Sequence, residues 1–420
     1  MKKVILSMMA ALLMFLVLPI MPKASANENS ASVPFNDIST HWAKNNILQA
    51  YEKGLVDGFP DGSFRPDDVV QADQFVVMML RAFSMTEDGR TTFDMAWYDQ
   101  LAEYQPGFLG EIRAAVRKNN FDFQTAKKGY WAKPYIDMLY EMPYLLEFDG
   151  VFPKEYKRFE KNLKREEASF LLGEWYSKFE GGVENNYHEF VRKNSGLKDF
   201  VTGSGYVAVY HPTMLITGIM AGYPNGYFYP NRYVTRAEAL TMVLRLRNPE
   251  LRTPYKPNLK GQYYMELNGK IILFPDKFKY DTYNNILELA EKHVTKGYVD
   301  VAQFSLSIFK NKDDADSWIY LTKIGRYEIR PQTEFGVTVS SSDAREIRMR
   351  YPKTRKMPNS QALFDAVVEV FAGKGKGKEL NKLMKSYEKD LSKEKYFTFN
   401  NRKYSMVMQS GEDILLKYNY

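Results

Sequence analysis

The sequence predicts a multidomain chain: a mainly α module of helix–loop–helix repeats, followed by an α+β domain. Three observations carry that reading. Gly54-Leu55-Val56-Asp57-Gly58-Phe59-Pro60-Asp61-Gly62-Ser63-Phe64-Arg65-Pro66 aligns without a gap on Gly218 to Pro230, and self-similarity at this scale signals repeated supersecondary units. Apolar residues recur at helical spacing before and after both loops. After Asn248-Pro249 the pattern changes to alternating, strand-like runs punctuated by turn residues.

Taken in order, residues 1–26 read as a secretory signal peptide. Lys2 and Lys3 precede an apolar stretch from Val4 to about Ile20, and Ala24-Ser25-Ala26 supplies a small-residue cleavage site. The rival is an uncleaved anchor, against which the cleavage site argues. No later stretch is long and apolar enough for a transmembrane helix, so an exported, soluble mature chain is expected. There is no cysteine, which excludes disulfides, cysteine nucleophiles and thiolate metal sites. The 30 tyrosines and 27 phenylalanines fit aromatic cores and carbohydrate-facing surfaces equally well.

Residues 33–86 form the first repeat. Trp42, Ile47 and Tyr51 share a helical face before the Gly54 stop, and a second helix begins near Phe75. Residues 87–123 are an insertion, read as two short helices because Trp97, Leu101, Tyr104, Leu109, Ile112 and Val116 keep helical spacing around Pro106-Gly107. The second repeat, 124–180, is degenerate. Tyr130-Trp131-Ala132 matches His41-Trp42-Ala43, the Gly-rich loop is lost across 143–150, and Leu163-Lys164-Arg165-Glu166-Glu167-Ala168 restores a helix start. The third repeat spans 199–250, with Tyr206 where the first has Trp42 and with no counterpart read for its Asp or His.

The third repeat carries the clearest local signal. Gly222-Tyr223-Pro224-Asn225-Gly226 is a tight turn. Thr235 followed three residues later by Glu238 is a capping box. Arg236 therefore sits in a first helical turn, where the helix dipole disfavours a cation, and the placement suggests that its guanidinium has a partner. The same count places Arg165 in repeat two and Ala72 in repeat one.

These residues resemble the S-layer homology (SLH) repeat: an aromatic-Asp start (Phe35-Asn36-Asp37), a His-Trp-Ala (His41-Trp42-Ala43), a Gly-rich loop and a Thr-Arg-Ala-Glu helix start (Thr235-Arg236-Ala237-Glu238). The resemblance covers a little over half of the mature chain. It implies three repeats around a pseudo-threefold axis, with grooves between units that bind a pyruvylated secondary cell-wall polysaccharide. It also implies a secreted, cell-wall or S-layer location on a Gram-positive-type bacterium. Arg236 and Arg165 would engage the ketal carboxylate with a planar fork. Trp42, Trp131 and Tyr206 would cover sugar faces, and the Gly58 and Gly222-Tyr223 loops would bind hydroxyls. Each has a plainer alternative: core packing for the tryptophans, a structural ion pair for the arginines, helix capping for Glu238 and Glu167. With Ala72 in the first position, at most two competent grooves are expected.

The remaining chain reads as a linker (251–259) and an α+β domain (260–420) that resembles nothing recognised. Asn268-Gly269 marks a hairpin. Residues 282–293 read as a helix, and 299–309 and 317–324 as strands. Helices at 360–371 and 379–391 flank a basic linker, 373–378, and three strands close the chain. The formal charge of +7 is concentrated after Thr253, and a basic exported domain fits a wall polymer or membrane surface as well as nucleic acid; no nucleic-acid partner is expected. Gly373 to Lys378 lacks a phosphate loop's Gly-Lys-Ser/Thr ending. Four histidines with no HExxH pair disfavour a zinc hydrolase. Asp57, Asp61, Asp67 and Asp68 lack the spacing of a calcium loop, and Asp313, Asp314 and Asp316 read as a solvated loop. No catalytic residue, cofactor or metal is assigned. A wall-active hydrolase built on the C-terminal domain, and a repeat scaffold that has lost its ligand, stand as alternatives to anchoring.

Overall fold

Three helices of the first half begin in the same way. Gln71, Lys164 and Thr235 are extended (ψ 159°, 156° and 162°), and each is followed by a helix: α2 (Ala72–Ala82), α5 (Arg165–Glu180) and α8 (Arg236–Arg247). In each, the side chain three residues in reaches back to the cap amide. Gln74 Oε1 accepts from Gln71 N at 3.1 Å, Glu167 Oε2 from Lys164 N at 2.8 Å and Glu238 Oε2 from Thr235 N at 3.1 Å. Thr235 adds the reciprocal bond, its Oγ1 accepting from Glu238 N at 3.3 Å. The capping roles of Glu167 and Glu238 are therefore direct: each satisfies an amide that the helix leaves orphaned.

The extended residues just before these helices bond to one another in a closed ring. Val70 N donates to Val234 O, Val234 N to Leu163 O and Leu163 N to Val70 O, all at 2.9 Å. The side chains of Val70, Leu163 and Val234 are fully buried. Three repeats distant in sequence thus share one hydrogen-bonded centre, and no unit closes its own apolar face.

This computed structural model describes residues 34–87, 90–94, 129–141, 151–200, 206–323, 332–342, 344–409 and 413–420. The signal-peptide stretch, most of the insertion after Asp94 and the loop region 142–150 lie outside the described residues. Around the ring stand α1 (Lys44–Glu52), α3 (Lys133–Glu141), the single turn α4 (Tyr156–Phe159), α6 (Asn185–Asn194) and α7 (Tyr206–Thr217). A hairpin follows α2: β1 (Ser84–Glu87) pairs with β2 (Arg90–Phe93), Ser84 opposite Phe93 and Glu87 opposite Arg90, and the two short helices read beyond Asp94 lie outside the described residues. One apolar core runs from Phe35 to Leu246 through all three repeats.

The second half has its own core, from Ile272 to Tyr418. The hairpin of β3 (Tyr263–Leu267) and β4 (Lys270–Phe274) turns at Asn268 and Gly269 with φ 51° and 71°, the type I′ geometry that Asn-Gly favours. Asp276 caps α9 (Lys277–His293) through Lys279 N at 2.8 Å, so this helix starts a turn before the apolar spacing indicates. A seven-stranded antiparallel sheet follows in the order β5-β6-β7-β8-β11-β10-β9: β5 (Tyr298–Val301), β6 (Ser305–Phe309), β7 (Phe335–Val339), β8 (Glu346–Pro352), β9 (Lys395–Phe399), β10 (Arg402–Gln409) and β11 (Asp413–Asn419). Alternate residues Ile347, Met349, Tyr351 and Ile414, Leu416, Tyr418 are buried. The helix α11 (Gln361–Ala372) packs on that face through Phe364 against Tyr351 and Phe371 against Tyr418, with α12 (Gly377–Tyr387) beside it.

Four expectations for this half are corrected. The 299–309 run is two strands, because the Ala302 N bond to Ser305 O at 2.8 Å turns the chain between β5 and β6. Residues 317–323 of the stretch read as a strand lie in α10 (Lys312–Lys323), started by Asn311 Oδ1 accepting from Asp314 N at 2.8 Å. Asp313 and Asp314 then occupy a first helical turn, where anions are favoured, and not a loop. The 373–378 segment is not a loose linker, since the Glu369 carboxylate accepts from Gly375 N and, at 2.7 Å, from Gly377 N.

The halves are tied together. Asn186 Nδ2 donates to Leu273 O and Ser341 O, each at 2.9 Å, and Lys270 Nζ donates to Glu180 O at 2.7 Å and Gly182 O at 3.0 Å. The 251–259 stretch lies along the repeat module: Arg252 clamps the Glu180 carboxylate at 2.6 and 2.7 Å and Tyr255 N bonds Leu215 O at 2.9 Å.

Candidate functional site

The Gly-rich loops of repeats one and three are built alike. Phe59 N bonds Ser63 O and Tyr223 N bonds Tyr227 O, both at 2.8 Å. Arg65 and Tyr229 both adopt φ 56°, a strained region for a side chain. A carboxylate holds each in place. Asp37 accepts from Phe64 N and Arg65 N at 2.8 and 2.7 Å, and Asp199 accepts from Phe228 N and Tyr229 N at 2.7 Å each. Repeat three therefore does have its Asp, contrary to the sequence reading. Gly58 and Gly222 serve packing: a Cβ on Gly58 would stand 2.2 Å from the Phe35 ring, and one on Gly222 2.6 Å from Leu197.

The helix-start arginines enter these loops from the neighbouring repeat. Arg236 Nε donates to Phe64 O at 3.0 Å and its Nη2 to Asp57 O at 3.1 Å. Arg165 Nε donates to Phe228 O at 2.9 Å and its Nη2 to Ala221 O at 3.0 Å. Each guanidinium also lies over rings: Phe59 and Phe64 for Arg236, Tyr223 and Phe228 for Arg165, at 4.6 to 5.1 Å. Both are buried, at 9% and 3% exposure. The partner that the unfavourable dipole placement calls for is thus a pair of backbone carbonyls, and an arginine's fixed fork suits two acceptors at set spacing. Burial lowers both guanidinium pKa values, and an arginine so shifted remains a cation.

Around Arg165 the repeats leave an open cleft of about 380 Å³ whose lining includes Trp42, Tyr223, Arg232, Glu238 and Arg245. Trp42 is 64% exposed, so the structure places it on the surface and not in the core. Glu238 accepts from the Tyr223 hydroxyl and pairs with Arg232 Nη1 at 3.3 Å. Burial, countered by Arg165 and reinforced by Glu238, pushes the Tyr223 phenol up to about 12. Arg245 is half-buried, and burial lowers its pKa. Three cations and one carboxylate give the cleft a net positive charge beside an exposed indole.

The other expected residues fall elsewhere. Trp131 is 48% exposed, and its neighbour Tyr130 donates from Oη to Asp73 at 2.7 Å, which ties this stretch to the start of α2. Tyr206 opens α7, and its side chain lies outside the described residues. Ala72 is fully buried. The four aspartates of the first loop have separate partners: Asp57 pairs with Arg81 at 3.2 Å, Asp61 with Arg65 at 2.9 Å, Asp67 with His41 at 3.4 Å, while Asp68 presents its carbonyl to Arg236 N at 2.9 Å.

Sequence reading missed Arg232 and Arg245. A signal existed for Arg245, because Arg81 stands at the same offset from the first loop. There Arg81 is engaged by Asp57 and by Tyr135 Oη at 3.2 Å.

Comparison with known proteins bears on these same stretches. A family model described as the S-layer homology domain matches residues 34–70 and 217–240, which hold both Gly-rich loops and the Arg236 helix start. Cell surface glycoprotein 1 of Acetivibrio thermocellus is 28% identical over 151 residues, covering 35% of this chain and 5% of that protein. The cellulosome-anchoring protein of the same organism is 27% identical over 155 residues, covering 35% of this chain and 28% of the relative. Exoglucanase XynX, also from Acetivibrio thermocellus, is 23% identical over 215 residues, or 51% of this chain and 16% of its own length. The chain thus spans less than a third of each of these relatives. With two matched segments and the loop and cap geometry repeated between them, the chain carries S-layer homology domain sequence at residues 34–70 and 217–240.

Proposed function

We propose that residues 34–250 anchor the chain non-covalently to the cell surface by binding an anionic, pyruvylated secondary cell-wall polysaccharide. The observation that carries this reading is the cleft that joins the exposed Trp42 ring to Arg165, Arg232 and Arg245. A flat exposed indole offers a stacking face for a sugar ring, and cations at its edge offer charge-assisted hydrogen bonds to a carboxylate. The names of the relatives, a cell surface glycoprotein and a cellulosome-anchoring protein, agree with a surface role.

In this reading the repeats stand about a pseudo-threefold axis, which the closed ring of Val70, Leu163 and Val234 supports. Arg165 and Arg236 act first as staples between repeats, with the cleft-facing contacts falling to Trp42, Arg232 and Arg245. The function is binding and not catalysis, and the C-terminal sheet is a carried domain held at a fixed attitude by Asn186 and Lys270. The test is co-sedimentation of the full chain with cell-wall sacculi before and after extraction of their polysaccharide. Binding to unextracted wall alone is the expected result; equal binding to both overturns the reading.

A further inference from the structure

The basic charge of the second half gathers on α12 and on the turn before it. Lys374, Lys376, Lys378, Lys382, Lys385 and Lys389 are all exposed. Within α12, Lys378, Lys382 and Lys385 stand four and three residues apart, which puts them on one side of the helix. Leu380 and Met384 take the opposite side and are fully buried. Packing against α11 therefore fixes which way the lysines face.

The turn is fixed as well. Gly373 and Gly375 adopt φ 90° and 77°, and the Glu369 carboxylate accepts from the amides of Gly375 and Gly377. A Cβ on Gly377 would stand 2.5 Å from that carboxylate. Lys374 and Lys376 are thus presented from an ordered turn at the head of the stripe.

Every carboxylate from Glu369 to Asp390 is already engaged. Glu369 holds the turn, and Glu388 takes Arg355 together with the Tyr351 hydroxyl at 2.8 Å. Asp390 takes Lys395 at 2.9 Å, and Glu379 takes Lys376 at 2.8 Å. Among the described residues no carboxylate pairs with Lys374, Lys378, Lys382, Lys385 or Lys389. A line of like charges remains unneutralised, and a polyanion relieves that repulsion.

We propose that this lysine stripe docks a linear phosphodiester polymer of the cell wall, a chain of polyol phosphates. The stripe holds lysines and no arginine, so it offers point charges to a run of phosphates and no planar fork to a carboxylate. Its α12 lysines rise by about 6 and about 4.5 Å along the axis, a row that a single extended strand can follow. A membrane-bound amphipathic helix needs a free apolar face, whereas Leu380 and Met384 are committed to the core. The ring of α12, Tyr387, is stacked on Phe397 with centres 4.9 Å apart, which leaves it unable to take a nucleic-acid base. The site shares only its cell-surface setting with the anchoring cleft, and lies on the other half of the chain.

The experiment is anisotropy titration of the full chain with labelled poly(glycerol phosphate) at low and high salt. It is run on the wild type, on Lys378→Gln/Lys382→Gln/Lys385→Gln, and on Lys292→Gln/Lys296→Gln/Lys310→Gln, which removes the same charge from other exposed lysines. Each variant is melted alongside to confirm its fold. Wild-type affinity is expected to fall steeply with salt, the stripe variant to bind at least about tenfold more weakly, and the control variant to stay within about twofold. Equal losses in the two variants reduce the effect to net charge and overturn the stripe. Tighter wild-type binding to phosphatidylglycerol vesicles or duplex DNA, at matched salt and phosphate, overturns the choice of polymer. Absence of wild-type binding overturns the proposal outright. A parallel titration with a saccharide bearing one pyruvate ketal separates the two readings: the stripe variant is expected to match the wild type there, and a weaker response overturns the independence of the stripe from the cleft.

Discussion

Arg236 Nε lies 3.0 Å from the carbonyl oxygen of Phe64, a residue 172 positions earlier in the chain. The contact joins the last repeat to the first, and Arg165 repeats it on Phe228. An arginine in the first turn of a helix works against the helix dipole; here that placement is offset by two backbone carbonyls, one of them in the fully buried Phe64.

Removing either arginine should therefore destabilise the fold whatever its effect on a ligand. Arg236→Ala leaves Asp57 O and Phe64 O without their donor; Phe64 is fully buried, and one unsatisfied buried acceptor corresponds to about 1–3 kcal/mol. Arg236→Lys should recover only part, since one ammonium cannot span both carbonyls. Chemical denaturation reads both. Equal stability of Arg236→Ala and wild type would show that the carbonyls find water instead.

Asp199 is predicted to matter as much as Asp37. Its carboxylate accepts two amides at 2.7 Å, one from a residue at positive φ. Asp199→Ala should cost about 2–3 kcal/mol through lost charge-assisted bonds, and Asp199→Asn less, since its amide oxygen can still accept. The melting temperatures of the two variants give the order directly.

Trp42 and Arg245 should behave in the opposite way to the staples. Trp42 is 64% exposed, so Trp42→Ala should change stability within about 0.5 kcal/mol while weakening wall binding. A large drop in melting temperature with unchanged binding would move Trp42 from the cleft to the core.

His211 gives a pH prediction. It is buried between Phe200 and Phe228, its Nε2 has no hydrogen-bond partner among the described residues, and burial together with the nearby Arg165 cation pulls its pKa from 6.5 to about 4. The folded state thus disfavours protonation. The stability this residue contributes is fully present above pH 6.5 and is lost as pH falls through about 4, by about 3 kcal/mol in all. Denaturant midpoints measured across that window should fall, and His211→Phe should flatten the slope; a slope unchanged by the substitution assigns it to other groups.

What was legible in the sequence was what stays in register. The loops align without a gap, and Thr235 and Glu238 stand at the spacing a cap requires, so the repeat, the turn and the helix start could be read. Asp199 could not, because it lies 29 residues before Phe228 while Asp37 lies 27 before Phe64; two extra residues moved it out of alignment. Helix α10 read as a strand because Ser317 to Ile324 alternates in polarity, and Asn311, a capping signal just upstream, was not weighed against that pattern. The partners of Arg165 and Arg236 are backbone carbonyls, which no side-chain pattern reports.

The central claim is that the cleft beside Arg165 holds the chain on wall polysaccharide. It is tested most directly by comparing the wild type with Trp42→Ala/Arg245→Ala for retention on unextracted sacculi. Strong retention of the wild type, none on extracted wall, and a marked loss in the double variant with its melting temperature preserved is the predicted result. Equal retention of the two proteins on unextracted wall would contradict it.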